Sequence, residues 1–230
     1  MDGNGRWAKN RSRPRIWGHV RGAGIVSDIA EKASNIGLNS LTLYAFSTEN
    51  FSRPDHEVNF LFKLLDKFLI KEKQKILRNN IHFKVIGRFD FLDEKTLRKV
   101  KELEKLTEKN NGLKLRFAFG YGGRAEIVDA CNRLIANDLI ATEENLSKYL
   151  YDEVVNIDLL IRTGGDQRIS NFLLWQSAYA ELFFTDTYWP DFSSQEFQDI
   201  LSQVSKRERR FGGIHTDTKA DFRKDNQTHL

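Results

Sequence analysis

The sequence predicts a single α/β domain with a mainly parallel central sheet flanked by helices. Short runs of branched and aromatic residues alternate with longer amphipathic stretches, the pattern that right-handed crossovers turn into parallel strands. Polar or glycine-rich turns follow the carboxyl ends of those runs, where open α/β sheets bind ligands. No linker and no internal repeat divides the 230 residues, a length that buries a substantial core.

Met1 to Trp7 form a glycine-rich turn leading into Lys9, Arg11, Arg13 and Arg15, and a helix is expected from near His19. Ile25, Val26, Ile29, Ala30 and Ala33 give that helix an apolar stripe, and Gly37 ends it. Leu41, Leu43, Tyr44 and Phe46 predict a strand emptying into the polar loop Ser47–Pro54, with Ser52–Glu57 capping the next helix. Val58, Leu61, Phe62, Leu65, Phe68 and Leu69 stripe a long helix to Leu77, with Lys63, Lys67, Lys71 and Lys75 opposite. Its apolar face suits ordinary core packing or the lining of a long apolar ligand. A strand at His82–Ile86, a charged helix at Glu94–Glu108 and a strand at Leu113–Phe119 follow. Tyr121 to Arg124 then turn the chain into a helix through Ala136, and a short helix is expected at Glu143–Leu150. Further on, a helix is predicted from Ser194 through Lys206, with the polar, aperiodic residues from Ile214 onward expected to be a disordered tail.

The strand ending in Leu159, Leu160 and Ile161 stops at Arg162, Thr163, Gly164 and Gly165, followed by Arg168 and Ser170. Glycine backbone can approach a ligand closely, while Arg162 and Arg168 offer planar forks matched to phosphate oxygens and Ser170 adds a hydroxyl. This describes a phosphate or diphosphate cradle; the alternative is a tight turn whose arginines pair with nearby acids such as Asp166. Around Asn4, Gly3 and Gly5 would free backbone donors for a second phosphate, and Asp2 could hold a divalent cation against it; the alternative is an unstructured basic segment. Glu181, a carboxylate in apolar surroundings, is a second candidate for a cation. Neither dinucleotide glycine spacing nor a Gly-Lys-Ser/Thr loop occurs.

A net charge of +4, from 36 basic and 32 acidic residues, suits an anionic ligand but is too mild to indicate nucleic acid. One cysteine, Cys131, excludes an internal disulfide framework and a thiolate zinc cluster. No apolar run approaches the roughly 20 residues of a membrane-spanning helix. The residues after Met1 lack a signal peptide's apolar core, so a cytoplasmic protein, at most peripheral to a membrane, is expected.

Met1 to Trp7, Tyr44 to Pro54 and Ile161 to Glu181 together resemble the cis-prenyltransferase family, and the likeness runs from Met1 to Gly213. It implies a catalytic domain over residues 1–213 ahead of the tail at 214–230, an α/β homodimer enclosing a hydrophobic tunnel, and Mg²⁺ as cofactor. It also implies condensation of isopentenyl diphosphate onto an allylic diphosphate such as farnesyl diphosphate, with membrane contact only for product release. Asp2 would position Mg²⁺ on the diphosphate, and Gly3, Asn4, Gly5, Arg6, Trp7, Arg15 and His19 would surround the allylic diphosphate. In the loop Ser47, Thr48, Glu49, Asn50, Asn50 matches the proton acceptor, with Phe51 and Arg53 among the substrate-binding residues. Arg162, Arg168, Ile169 and Ser170 match the isopentenyl diphosphate site, and Glu181 the second metal-associated carboxylate.

The sequence departs from the family pattern at Phe51, where tryptophan is usual, at Asp166, where glutamate is common, and at Gly120, where asparagine commonly precedes Tyr-Gly-Gly-Arg. The family also has a strand just before the first motif, which opens this sequence, so either the start is misassigned or trimmed or the sheet lacks that strand and exposes an edge beside Asp2. Two other functions compete. A non-catalytic partner subunit would keep the ending Arg210-Phe211-Gly212 but lack Asp2, which is present; an RNA-binding protein would place aromatics among surface arginines, whereas most Phe residues fall at buried positions.

Overall fold

The computed structural model describes residues 1–153 and 156–207, and all five strands among them run parallel. In chain order they comprise α1 (Asn4–Lys9), α2 (Arg15–Asn35), β1 (Ser40–Ser47), a 3₁₀ turn (Thr48–Ser52), α3 (Asp55–Arg78), β2 (His82–Ile86), α4 (Glu94–Thr107) and β3 (Lys114–Tyr121). Then come α5 (Gly123–Ala136), α6 (Glu143–Tyr149), β4 (Leu159–Arg162), β5 (Glu181–Phe184), a second 3₁₀ turn (Trp189–Asp191) and α7 (Ser194–Val204).

Helix starts follow local chemistry. Pro14 and Pro54 pre-set the backbone ahead of α2 and α3, while the side chains of Asp93, Thr142 and Ser193 accept the N–H groups of Thr96, Asn145 and Glu196 and so cap α4, α6 and α7. Two elements differ from the sequence reading. The first motif is a short helix, α1, packed on α2, and Glu181–Phe184 is a strand lying beside β4.

The sheet is divided. β3 is central in a three-stranded unit of order β1-β3-β2, and β4 and β5 form a second unit. β3 is correspondingly apolar, with every residue after Lys114 buried. β1 and β4 flank a cavity of about 700 Å³ lined by Leu41, Leu43, Leu159 and Ile161. Asp2 anchors the chain to the β4 side: its N–H donates to Thr163 Oγ1 at 2.9 Å, and its carbonyl accepts from that hydroxyl and from the Trp189 N–H.

The main core joins α2 and α3 to the three-stranded unit through Ile25, Ile29, Leu65, Leu69, Phe83 and Leu115. Among the described residues no helix is long and apolar enough to cross a membrane. Residues 208–230, including Arg210, Phe211 and Gly212 and the tail expected from 214, lie outside the described residues.

Candidate active site

The loops at the carboxyl ends of β1, β3 and β4 converge with α1, as the strand-end reading expected. Gly3 turns the chain into α1 at φ +95°, in the left-handed region, and a Cβ there would stand 2.5 Å from the Tyr188 ring. That turn sets Asp2 against the end of β4. Asp2 Oδ1 accepts the Gly3 N–H at 2.6 Å, and Oδ2 accepts Arg162 at 2.8 Å, with Arg6 at 3.6 Å. Burial pushes the Asp2 carboxyl up, but Arg162, the Gly3 N–H and the charge of Arg6 outweigh it and hold it below its ordinary value.

Arg162, only 12% exposed in its side chain, is the hub of the β4 side. One guanidinium nitrogen donates to Ser170 Oγ at 2.6 Å and to the Arg168 carbonyl; the other reaches Asp2 and Asp166. Asp166 also takes Arg168 at 2.9 Å and Arg6 at 3.4 Å. The arginines pair with Asp166, as the tight-turn alternative has it, and three guanidinium groups face two carboxylates, so the cluster retains a cationic surplus.

A second cationic cluster lies between α2 and α3. Glu57, almost fully buried, accepts Arg15 Nε at 3.2 Å and Arg53 Nη1 at 2.9 Å, and its carboxylate is 3.2 Å from His19 Nε2. One carboxylate thus orients three of the predicted diphosphate ligands. Glu57 went unnoticed in the sequence because a glutamate in the first turn of a helix reads as dipole complementation. Burial lowers the His19 pKa below 6.5; Glu57 opposes this, while the charges of Arg53 and Arg15 add to it. Between the folded and ordinary values the unfolded chain binds more protons, so this contribution to stability is lost as pH falls through about 6.5. His19→Gln should lose less stability than the native chain between pH 7.5 and pH 5.5, read from urea unfolding midpoints; equal losses would exclude a buried neutral His19.

The two clusters flank two cavities that share Asp2, Tyr44, Asn50 and Arg53. One, of about 240 Å³, runs from Asp2, Gly3, Asn4, Gly5, Arg6, Arg15 and His19 down to Val26, Leu61, Leu65, Phe68 and Phe119. The other carries Ser47, Glu49, Arg162, Arg168, Ile169 and Ser170. Asn50 stands at the junction with its side-chain oxygen accepting the Ser47 N–H at 3.1 Å, half of a reciprocal cap on the 3₁₀ turn. Thr48 donates to Glu49, which is held from the other side by Asn171 at 2.8 Å. Asn171 also accepts the N–H groups of Gly123 and Arg124, so it ties the β1, β3 and β4 loops together. Its left-handed φ of 62° is a conformation asparagine tolerates, and an Asn after Ser170 was the signal available in the sequence.

Four predicted residues line neither cavity, Thr48 of the β1 loop being one of them. Trp7 lines neither cavity; its indole donates to Asp191 at 2.7 Å and lies under Arg11. Phe51 packs on Phe46 and Phe91 and is half exposed. Glu181 opens β5 opposite Leu159, three residues of strand or about 10 Å from the level of Arg162, and it accepts Arg207 at 2.7 Å. Within one chain it does not join Asp2. Among the described residues no three His, Cys, Asp or Glu side chains converge as a metal cage. A single half-exposed carboxylate beside arginines whose forks suit phosphate oxygens fits Mg²⁺, which takes one or two carboxylates and completes its shell with water and substrate phosphates.

Residues 1–212 match the family model for undecaprenyl diphosphate synthase, a prenyltransferase family. The isoprenyl transferase of Fusobacterium nucleatum is 48% identical over 93% of this chain and 94% of that protein. That of Thermotoga maritima is 44% identical over 93% of this chain and 94% of its own length. Among solved structures, lavandulyl diphosphate synthase from Lavandula x intermedia, in complex with dimethylallyl diphosphate, superposes with a TM-score of 0.89 at 32% identity, covering 93% of this chain and 95% of that one. A probable undecaprenyl diphosphate synthase from Campylobacter jejuni gives a TM-score of 0.78 at 36% identity, covering 84% and 93%. With this coverage, and with its motifs gathered into one two-cavity site, the chain belongs to the undecaprenyl diphosphate synthase family of isoprenyl transferases.

Proposed function

We propose that this enzyme condenses isopentenyl diphosphate in cis onto an allylic diphosphate, farnesyl diphosphate being the primer and undecaprenyl diphosphate, a precursor of the cell-wall lipid carrier, the product. One observation carries the reading: Asp2, Asn50 and Arg53 line both cavities, and each cavity has its own arginines. Two diphosphates can therefore sit side by side with their carbon ends meeting between Asp2 and Asn50.

Arg15, His19 and Arg53, oriented by Glu57, would hold the allylic diphosphate with the Gly3–Arg6 backbone, while Arg162, Arg168 and Ser170 would hold isopentenyl diphosphate. As the allylic C–O bond breaks, negative charge grows on the departing diphosphate and positive charge on carbon. The arginines are already in position for the first, and the apolar wall of Val26, Leu61 and Phe119 keeps water from the second. Mg²⁺, when bound by Asp2, would supply Lewis-acid stabilisation of the departing oxygens. Asn50, fixed by the Ser47 N–H, is the group proposed to guide the proton that leaves as the new double bond forms. Incorporation of radiolabelled isopentenyl diphosphate with farnesyl diphosphate, followed by product sizing, tests this; no primer-dependent incorporation would refute it. In that assay Arg168→Ala should raise the KM for isopentenyl diphosphate about 10- to 100-fold, the loss of one charge-assisted contact, and leave the primer's KM unchanged. A change confined to the primer would reverse the assignment of the two cavities.

The same reading includes a homodimer. Glu181 and Arg207, bonded together away from Asp2, would lie with the following arginine-rich residues at a neighbouring protomer's site, and Leu182 and Tyr179 expose apolar surface next to them. Deleting residues from Arg207 onward should cripple turnover, and mixing that variant with Asp2→Ala protein should restore part of it. Truncated protein with normal turnover would exclude the arrangement. Membrane contact, where it occurs, would be peripheral, and exposed Trp17 with Arg13 over its ring is a feature suited to it.

A further inference from the structure

The apolar lining between α2 and α3 ends at Val26 and Phe68, and the next turn of both helices is polar. On α2 the lining residues are Gly22, Ala23 and Val26; on α3 they are Leu61, Leu64, Leu65 and Phe68. The next position of the α3 stripe, one turn beyond Phe68, is Glu72. A leucine there would complete an ordinary apolar face, yet the carboxylate is 8% exposed. It accepts the hydroxyl of Ser27, the residue after Val26, at 2.7 Å across the interhelical gap. Lys75 donates to the same hydroxyl at 3.0 Å and pairs with Glu31 of α2 at 2.5 Å. Lys71 stands 4.0 Å from Glu72 on the solvent side.

α2 and α3 run side by side in the same direction, joined at their starts by Arg15 and His19 with Glu57 and at this second point by Ser27, Glu72, Lys75 and Glu31. The cavity lies between the two ties, where the facing residues are apolar or lack a side chain. A chain extending from the Asp2 end therefore meets the second tie as soon as it passes Val26 and Phe68. To go further it must part the helices there, breaking hydrogen bonds of a nearly buried carboxylate rather than sliding along apolar surface.

We propose that the Ser27–Glu72 hydrogen bond, backed by Lys75 and Glu31, is a clasp that closes the apolar cleft between α2 and α3 and limits how long the prenyl chain grows. The assignment rests on the prenyltransferase reading for the nature of the occupant, and on the cleft geometry alone for the clasp. The four residues line neither cavity and stand just beyond Val26 and Phe68.

Two measurements separate those supports. In the first, affinities of n-alkyl phosphates of increasing length are measured by calorimetry for the native chain and for Ser27→Ala, Glu72→Ala and the double variant. Native affinity should rise with chain length and then level off, and the plateau should move to longer chains in all three variants. The double variant should match the singles, since both partners serve one contact. No rise with length in the native chain, or an unmoved plateau in the variants, overturns the clasp whatever the enzyme's reaction. In the second, products from farnesyl and isopentenyl diphosphates are sized. The variants should extend the longest major product by at least one isopentenyl unit, with the rate of the first condensation within about twofold of native. An unchanged product ladder with a lowered melting temperature would mean that the tie is structural only. If a variant fails to fold, Glu72→Gln, which keeps the acceptor for Ser27 but loses the charge opposite Lys75, takes its place and should give an intermediate shift.

Discussion

Asp2→Ala should lower turnover by about two to three orders of magnitude, because a positioned cation and the carboxylate that holds it contribute several kcal/mol to a charge-separating step. The fold should survive. Asp2 is half exposed, its pair with Arg162 is the kind worth about 0–1 kcal/mol, and its backbone bonds to Thr163 and Trp189 do not involve the side chain. Asp2→Asn separates charge from shape: the amide oxygen can still accept the Gly3 N–H or Arg162, so a protein that merely needs the hydrogen bond would remain active. We expect Asp2→Asn to be nearly as slow as Asp2→Ala. Arg162 and Arg6 keep this carboxyl ionised below its ordinary 3.8, so its protonation should not limit activity in mildly acidic buffer. Full turnover of the alanine variant, or of the native enzyme in excess chelator, would remove Asp2 from the reaction.

The cluster at the end of β4 was legible because its residues are compressed into nine positions, Arg162 to Ser170, and local geometry then sets Arg162 against Ser170. The apolar stripe of α3 was likewise legible from its spacing, and Leu61, Leu65 and Phe68 do line the cavity. What escaped depends on partners distant in sequence. α1 has only six residues, Gly5 lies within it and Gly3 before it, and nothing in it announces a helix; it persists because Gly18 of α2 lets the Asn4 backbone come so close that a Cβ would stand 1.9 Å from its carbonyl oxygen. β5 is four residues with no turn signal before it, recognisable only from the β4 register it satisfies. Gly120, a departure from the family pattern, sits at φ +59°, and a Cβ there would stand 1.9 Å from the Arg88 carbonyl oxygen, so this turn as built takes glycine and not the usual asparagine. Glu181 carries the same lesson at the level of the site. Its type and neighbourhood suggested a cation ligand, but the strand register puts it at the far end of β5 from Asp2, where it pairs with Arg207.

Removing Asp152 should destabilise the protein by about 3–5 kcal/mol, the cost of leaving buried charge without its partner. The strand register puts Lys84 of β2 directly beside Arg116 of β3, two cations at neighbouring positions of the sheet. Arg116 is 4% exposed although Lys114, its alternating neighbour, faces solvent. Asp152, from the loop after α6, settles both: one oxygen takes Lys84 at 2.9 Å and the other takes Arg116 Nε. Burial lowers the Arg116 pKa to about 10, and burial together with the charge of Arg116 lowers that of Lys84; the charge of Glu153 opposes both shifts, and Asp152 adds the direct bonds that offset the cost of burial. In Asp152→Ala that offset disappears while the like charges remain in contact. Urea unfolding of the purified variant should therefore show a lower midpoint with an unchanged denaturant slope. The double variant Arg116→Met with Asp152→Leu should recover much of the loss, since two apolar side chains leave only Lys84, which can turn to solvent. A loss below about 1 kcal/mol for Asp152→Ala would mean that water reaches Arg116 and that β3 does not depend on this pair.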